Sequence, residues 1–198
     1  MHEISLFGQT TSVVEMIAML TGLAGVWLTI RQSPWCFPVG IVNVAIYSYL
    51  FFSPGVQLYA DALLQCVYIL LLIYGWYRWT TRHETDNTTA PVNIDASSSI
   101  KVLIVVSVST CILGFFLSHY TNASFPWLDS ALTCISLAAQ WMVAKKHIEN
   151  WIVWIVVDLV YVPLYLVKHL PLTALLYAIF MLMAVKGYRD WKLHLRHE

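Results

Sequence analysis

The sequence predicts an all-α membrane protein with seven transmembrane helices. Of its 198 residues, 59% are hydrophobic and only 11% are charged, whereas a soluble domain is about 25% charged. The apolar residues are gathered into runs that approach or reach the length needed to cross a hydrocarbon core about 30 Å thick. Basic residues are concentrated in alternate loops between these runs. Together these features exclude an ordinary soluble domain.

Seven apolar runs give the predicted helices in order. They cover residues 12–30, 37–52, 59–79, 100–117, 127–144, 151–167 and 173–188. Breaks containing proline, glycine or asparagine separate most of the runs, since these residues interrupt helices. The stretch 80–99 is the one long polar connection. The first residues lack the positive region of a cleaved signal peptide, so we expect the first run to remain as a helix.

Lysine and arginine positions predict the orientation. With seven spans, the loops after spans one, three and five lie on one side with the C-terminal tail. That side, counting the last turn of span seven, carries ten basic residues, and the other side carries only Lys168. Basic loops stay in the cytoplasm, so the N-terminus is expected outside and the C-terminus in the cytoplasm. The four cysteines show no CxxC spacing, and we expect neither a metal nor a cofactor.

Two sequence stretches indicate an internal repeat. GWYRW at 75–79 and GYRDW at 187–191 both read Gly-x-x-x-Trp at the basic side of a span. The other matched pairs are Asn43 with Asp158 and Arg31 with Lys146. The pattern predicts a 3+1+3 parallel repeat of triple-helix bundles. The first bundle is 12–79, the polar linker and connecting helix are 80–117, and the second bundle is 127–191. Parallel repeats place ligand sites near the midplane between their halves.

Asp158 is the main candidate functional residue. It is the only charge in the run 151–167. At 1.5 Å per residue it would lie about 10 Å into the span, near the middle of the bilayer. A carboxylate there costs roughly 2.5–3.5 kcal/mol on insertion scales, so an acid at this depth is a functional-site hypothesis.

Other polar and aromatic residues are expected to line a central cavity with Asp158. Trp151, Trp154 and Tyr161 share its helical face. The remaining candidates are Asn43, Gln65, Tyr68 and Gln140. Such a set suits a flat cationic ring with hydroxyls, because aromatic faces and a carboxylate attract the charge and amides bind the hydroxyls. Either glutamine could equally join helices, Trp151 could be an interfacial anchor, and Tyr161 could be packing.

The segments 40–79 and 145–191 resemble the PnuC family of bacterial vitamin transporters. The first carries the pattern LYAD…LLQ…Y…YGW, and the second carries NWxxWxxxD…K…TALLY…G…W. The resemblance implies a fold related to the SWEET sugar transporters, a homotrimer, and a place in the bacterial inner membrane. By the same resemblance, Gln65, Trp151 or Trp154, and position 158 would line the ligand site.

The resemblance also implies a function. Its characteristic substrate is nicotinamide riboside, an NAD precursor with a permanently charged pyridinium ring. Uptake would be facilitated diffusion, made one-way by phosphorylation of the vitamin in the cytoplasm. Related members carry thiamine. This chain has Asp158 where some members have asparagine, which leaves thiamine or another cationic vitamin of similar size as the alternative substrate.

Three other functions are alternatives to transport by diffusion. A retinal-type sensor needs a lysine midway along the last helix, but Lys186 lies in its final turn. An intramembrane enzyme is disfavoured because Asp61 and Asp158 would lie at different depths, and no span holds an HExxH motif or a Ser/His pair. Proton coupling through Asp158 stays open, although a cationic ligand can itself be the partner of this carboxylate.

Overall fold

Seven helices account for most of the chain. The computed structural model describes residues 3–6, 9–52, 59–81, 90–121, 125–167 and 170–195. Within these ranges the helices are α1 Val13–Ile30, α2 Cys36–Phe52, α3 Tyr59–Thr80, α4 Ala96–Tyr120, α5 Pro126–Lys145, α6 Asn150–Val167 and α7 Pro171–Leu193. Each helix coincides with one predicted span, so the prediction of seven helices is confirmed. By length and composition, α1, α4, α6 and α7 can each cross a membrane.

A short hairpin precedes the first helix. Strands β1 (Glu3–Leu6) and β2 (Gln9–Ser12) pair antiparallel. Two adjacent threonines lie in β2, and β-branched residues favour strands. The hairpin adds to the helices and leaves the predicted all-α class unchanged.

The described part of the polar connection, residues 90–95, is bonded both to α4 and to the turn between α5 and α6. The helix begins at Ala96, four residues before the predicted span, because Asp95 caps it by accepting a hydrogen bond from the Ser98 N–H at 2.8 Å. Hydrogen bonds from the Ser98 hydroxyl and from this N–H lower the pKa of Asp95. Upstream, Val92 forms a parallel bridge with His147 in the turn between α5 and α6. Its N–H donates to Lys146 O at 3.0 Å, and its carbonyl accepts from the Ile148 N–H at 3.0 Å.

Six helices pack in a ring in the order α1, α2, α3, α5, α6 and α7, with α7 contacting α1 and α4 packing on α5. For description, we call α1, α2 and α3 the first group and α5, α6 and α7 the second group. Two tryptophans join the groups at the ends of α3 and α7. Trp79 Nε1 donates to Ala144 O at 3.2 Å, and Trp191 Nε1 donates to Thr29 O at 3.2 Å. The C-terminal ends of α1, α3, α5 and α7 therefore meet at one end of the molecule, which we call the basic end.

Large aromatic side chains form the core at the basic end. Phe37 and Trp79 pack edge-to-face with ring centroids 5.0 Å apart. Trp151 and Trp191 do the same at 5.3 Å, and the two pairs meet where Trp79 lies 6.1 Å from Trp191. We call these four residues the aromatic cluster. Away from it, α4 exposes a series of apolar side chains, including Leu103 and Ile112, as expected for a helix surrounded by lipid.

Candidate ligand-binding cavity

A cavity of about 260 Å³ lies between the two groups of helices. Every helix except α4 contributes to its wall. The volume is slightly below the roughly 300–1,000 Å³ typical of pockets for small molecules. Its lining is mainly apolar and aromatic, with a few polar side chains. Small-molecule sites have this composition because apolar walls bind the body of a ligand and isolated polar groups orient it.

Among the described residues, Asp158 supplies the only carboxylate of the cavity wall. Its side chain is 3% exposed, and within the described ranges no lysine, arginine or histidine forms a salt bridge with it. Trp154 and Trp151 lie one and two turns earlier on the same face of α6 and also line the cavity. The wall therefore combines one buried carboxylate with two indole side chains.

The amide group of Asn43 uses its two hydrogens to join α2 to α1. Its Nδ2 donates to Ala18 O at 2.5 Å and to Thr21 Oγ1 at 3.0 Å. Both hydrogens of the amide group are thus directed to α1. Since a side-chain amide also carries an accepting oxygen, Asn43 can offer a ligand Oδ1. This residue both joins α1 to α2 and lines the cavity.

Most of the residues singled out in the sequence meet at this cavity. Those in its wall are Asn43, Tyr68, Gln140, Trp151, Trp154 and Asp158. Gln65 and Tyr161 do not belong to the lining. Tyr161 packs instead on Tyr165 and Tyr177, with ring centroids 5.6 and 4.9 Å away. One turn beyond Asp158, α6 faces the tyrosines of its own group, which explains the difference. Ligand contact by either residue stays a prediction.

Two helices that sequence reasoning passed over also form the cavity. The α1 side includes Gly22 and Gly25, and the α7 side includes Tyr177, Phe180 and Ala184. A Cβ atom added at Gly22 would lie 3.3 Å from Phe180 Cζ, so the glycine lets α1 and α7 approach. Small residues let membrane helices approach closely, and the glycines of α1 were the signal for this part of the wall, which polar side chains do not mark.

A cavity between apolar helices, with a buried carboxylate in its wall, is the kind of site that membrane transporters for small molecules contain. Within the described residues, no three histidine, cysteine or acidic side chains cluster to hold a metal ion. The chain belongs to the nicotinamide mononucleotide transporter family, whose model matches residues 12–193. The prediction of a PnuC-type transporter rather than an enzyme is confirmed.

Relatives cover nearly the whole chain. The nicotinamide riboside transporter PnuC of Escherichia coli K12 is 24% identical over 209 residues, which span 93% of this chain and 87% of that protein. The riboflavin/roseoflavin transporter RibM of Streptomyces davaonensis is 26% identical, covering 98% and 91%. A crystal structure of the vitamin B3 transporter PnuC matches with a TM-score of 0.72 and 24% identity, over 91% of this chain and 83% of that one. The fold is therefore that of a known vitamin transporter.

Proposed function

We propose that this protein transports nicotinamide riboside across the bacterial inner membrane, with Asp158 as the counter-charge of the pyridinium ring. The carboxylate, 3% exposed and set in the cavity wall beside Trp154, is the observation that carries the proposal. A buried carboxylate is costly without a partner. A permanently cationic ligand removes that cost each time it binds.

The rest of the wall suits the same ligand. Trp151 and Trp154 offer ring faces, and cation–π contacts are worth about 2 kcal/mol when desolvated. Asn43, Gln140 and Tyr68 offer amide and hydroxyl groups to the ribose hydroxyls. The PnuC relatives, which are nicotinamide riboside transporters by name, support this assignment.

Two other vitamins are the competing substrates. Thiamine is also a cation, and Asp158 would suit it equally well. Riboflavin is a candidate substrate because the relative RibM, a riboflavin/roseoflavin transporter by name, aligns with 98% of this chain at 26% identity. Riboflavin carries no positive charge, so it gains nothing from the buried carboxylate. Asp158 therefore favours a cation over a flavin.

Ligand-induced stabilisation of the purified protein tests the assignment. A ligand at 100 times its Kd stabilises the folded state by about 2.7 kcal/mol. Nicotinamide riboside should raise the melting temperature more than thiamine, and riboflavin should have little effect. Asp158→Asn keeps the side-chain size but removes the charge, and should weaken the binding of the cation by about 2 kcal/mol or more. Equal binding by the native protein and the variant would overturn the role of Asp158.

The proposed mechanism is facilitated diffusion in one net direction. The N-terminus would lie outside and the C-terminus in the cytoplasm, where phosphorylation of the vitamin would prevent its return. Uptake into proteoliposomes that contain no kinase should then equilibrate rather than accumulate, and a protonophore should not change it. Accumulation that collapses with the protonophore would instead indicate proton coupling. A homotrimer is part of the proposal, and native mass spectrometry would test it.

We further propose that the two groups of helices are a 3+1+3 parallel repeat, as in the SWEET fold. Two turns support it: Gln32 after α1 and Lys146 after α5 have left-handed φ values of 52° and 60°. In each turn the next N–H bonds a carbonyl five residues back, Ser33 to Leu28 at 2.9 Å and His147 to Met142 at 3.0 Å. This pairing of turns, the Schellman pattern, supports bundles at 12–79 and 127–191, with 80–117 between them.

The turns favour a register one residue away from the predicted one. Gln32, rather than Arg31, is the match of Lys146, because these two residues share the left-handed conformation. The same offset pairs Phe37 with Trp151, and the N–H of each bonds the carbonyl three residues back at 3.2 Å. Asp158 is then matched by Val44 instead of Asn43. The predicted pairing matched basic and polar residue types, which the turn geometry does not require.

A further inference from the structure

The wall of the cavity at the basic end is continuous with the aromatic cluster. Phe37 and Trp151 line the cavity and also pack in that cluster. Behind them lie Trp79 and Trp191, which are 9% and 0% exposed. A ligand leaving the cavity toward the basic end must therefore pass these two tryptophans.

At the basic end, two indole N–H groups donate hydrogen bonds from one group of helices to the other. Trp79 of α3 donates to the carbonyl of Ala144 at the end of α5, at 3.2 Å. Trp191 of α7 donates to the carbonyls of Thr29 and Ile30 at the end of α1, at 3.2 and 3.3 Å.

A third contact joins the two turns themselves. Lys146 Nζ donates to Gln32 Oε1 at 3.3 Å and lies 4.6 Å from the centroid of the Trp79 ring. All three contacts break if the two groups separate at the basic end. None of them holds together helices within one group.

These hydrogen bonds can break and re-form reversibly. The last carbonyls of a helix have no partner within it, so water can replace an indole N–H there at modest cost. Further along α6 and α7, the rings of Tyr161, Tyr165 and Tyr177 pack on one another within one group. The three polar contacts at the basic end each join the two groups.

We propose that Trp79, Trp191, Gln32 and Lys146 form a gate that closes the cavity at the basic end. Opening it breaks the two indole hydrogen bonds and the Lys146–Gln32 contact, and this step controls ligand passage on that side. The proposal rests on the proposed function only in taking the cavity as the ligand site. It is independent of which vitamin binds.

A native cysteine reports on the gate. Cys36 is buried, has a free thiol and lines the cavity. With alanine at Cys66, Cys111 and Cys134, it becomes the only thiol. Its rate of modification by a membrane-impermeant thiol reagent, added in turn to each face of the membrane, measures access to the cavity from that face. No ligand is needed, so failure of the vitamin assignment would not affect the result.

Replacing each indole by phenylalanine keeps an aromatic ring and removes the N–H. Loss of one such hydrogen bond shifts an equilibrium roughly fivefold, so Trp79→Phe and Trp191→Phe should each speed modification of Cys36 from the basic face by about that factor. Modification from the other face should not increase. Trp76→Phe, one turn before Trp79 on an exposed position, is the matched control and should change nothing.

A second variant keeps the test decisive if the tryptophan variants do not fold. Gln32→Asn tolerates the left-handed backbone but is one methylene too short to reach Lys146. It should also speed modification from the basic face, by roughly twofold to fivefold. Unchanged rates in all these variants, or equal increases from both faces, would overturn the gate, since the residues would then serve packing alone.

Discussion

Helices α2 and α6 both line the cavity but contribute very different side chains to it. Under the proposed repeat, the pairs are Phe37 with Trp151, Gly40 with Trp154, and Val44 with Asp158, and all six line the cavity. In these pairs α6 supplies a carboxylate and two indoles, and α2 supplies a phenyl ring, a glycine and an aliphatic residue. Two helices in equivalent positions can therefore contribute differently to one cavity. In the proposed site, the α6 side would attract the ligand and the α2 side would leave room for it.

Alanine substitutions at Gly75 and Gly187 test whether α2 and α6 are equivalent in packing but differ in ligand binding. A Cβ at Gly187 would lie 2.6 Å from Trp151 Cζ2, and a Cβ at Gly75 would overlap Phe37. Both rings are almost fully buried. Gly187→Ala and Gly75→Ala should therefore each lower the free energy of unfolding by about 3 kcal/mol, measured by thermal or denaturant unfolding in detergent.

Measurements of ligand affinity should distinguish the Gly187→Ala variant from the Gly75→Ala variant. Gly187→Ala displaces Trp151 and should weaken binding in the protein that remains folded, whereas Gly75→Ala should affect mainly stability. Gly25→Ala is the control, because its Cβ would lie 3.9 Å from Val39 Cγ1, an ordinary contact. Equal losses of affinity in the Gly75 and Gly187 variants would mean that the ligand contacts both sides alike.

The Trp154/Gly40 pair tests the same difference through affinity. Trp154→Leu keeps an apolar side chain but removes the ring face, and should weaken binding of the cationic ligand by about 2 kcal/mol, or roughly 30-fold. Gly40→Ala should have a small effect, because its Cβ would meet the flexible Leu72 side chain at 3.0 Å. Isothermal titration calorimetry measures both. A larger loss for Gly40→Ala than for Trp154→Leu would reverse the assignment of the two sides.

The smallest expected effect concerns the two turns. His147 occupies the position matched by Ser33, and burial lowers the pKa of its imidazole below the usual value of 6.5. Between these two pKa values the unfolded chain binds more protons than the folded one, so stability falls as the pH drops from about 7 through that window. His147→Ser, which copies the first turn, should reduce this loss in melting temperature measured at pH 7.5 and 5.5. An unchanged pH dependence would contradict the contribution of His147.

The sequence predicted those parts of the molecule that follow from hydrophobicity and from the cost of burying charge. Seven helices, and a cavity centred on Asp158, could be inferred because lipid requires long apolar runs and penalises a lone carboxylate. The wall formed by Gly22 and Phe180 could not, because it depends on how closely α1 and α7 pack. The pairing of Val92 with the α5–α6 turn was missed for the same reason, since backbone contacts across more than 50 residues leave no local pattern.

That pairing also bears on how the chain is assembled during synthesis. Both backbone groups of Val92 are bonded to residues 146 and 148, and Pro91 beside it is fully buried. These partners emerge from the ribosome only after α4 and α5 have been made. The connection before α4 can therefore reach its final position only once the α5–α6 turn has formed. In biogenesis, α4 matures with the helices that follow it, and the first three helices can associate before it does.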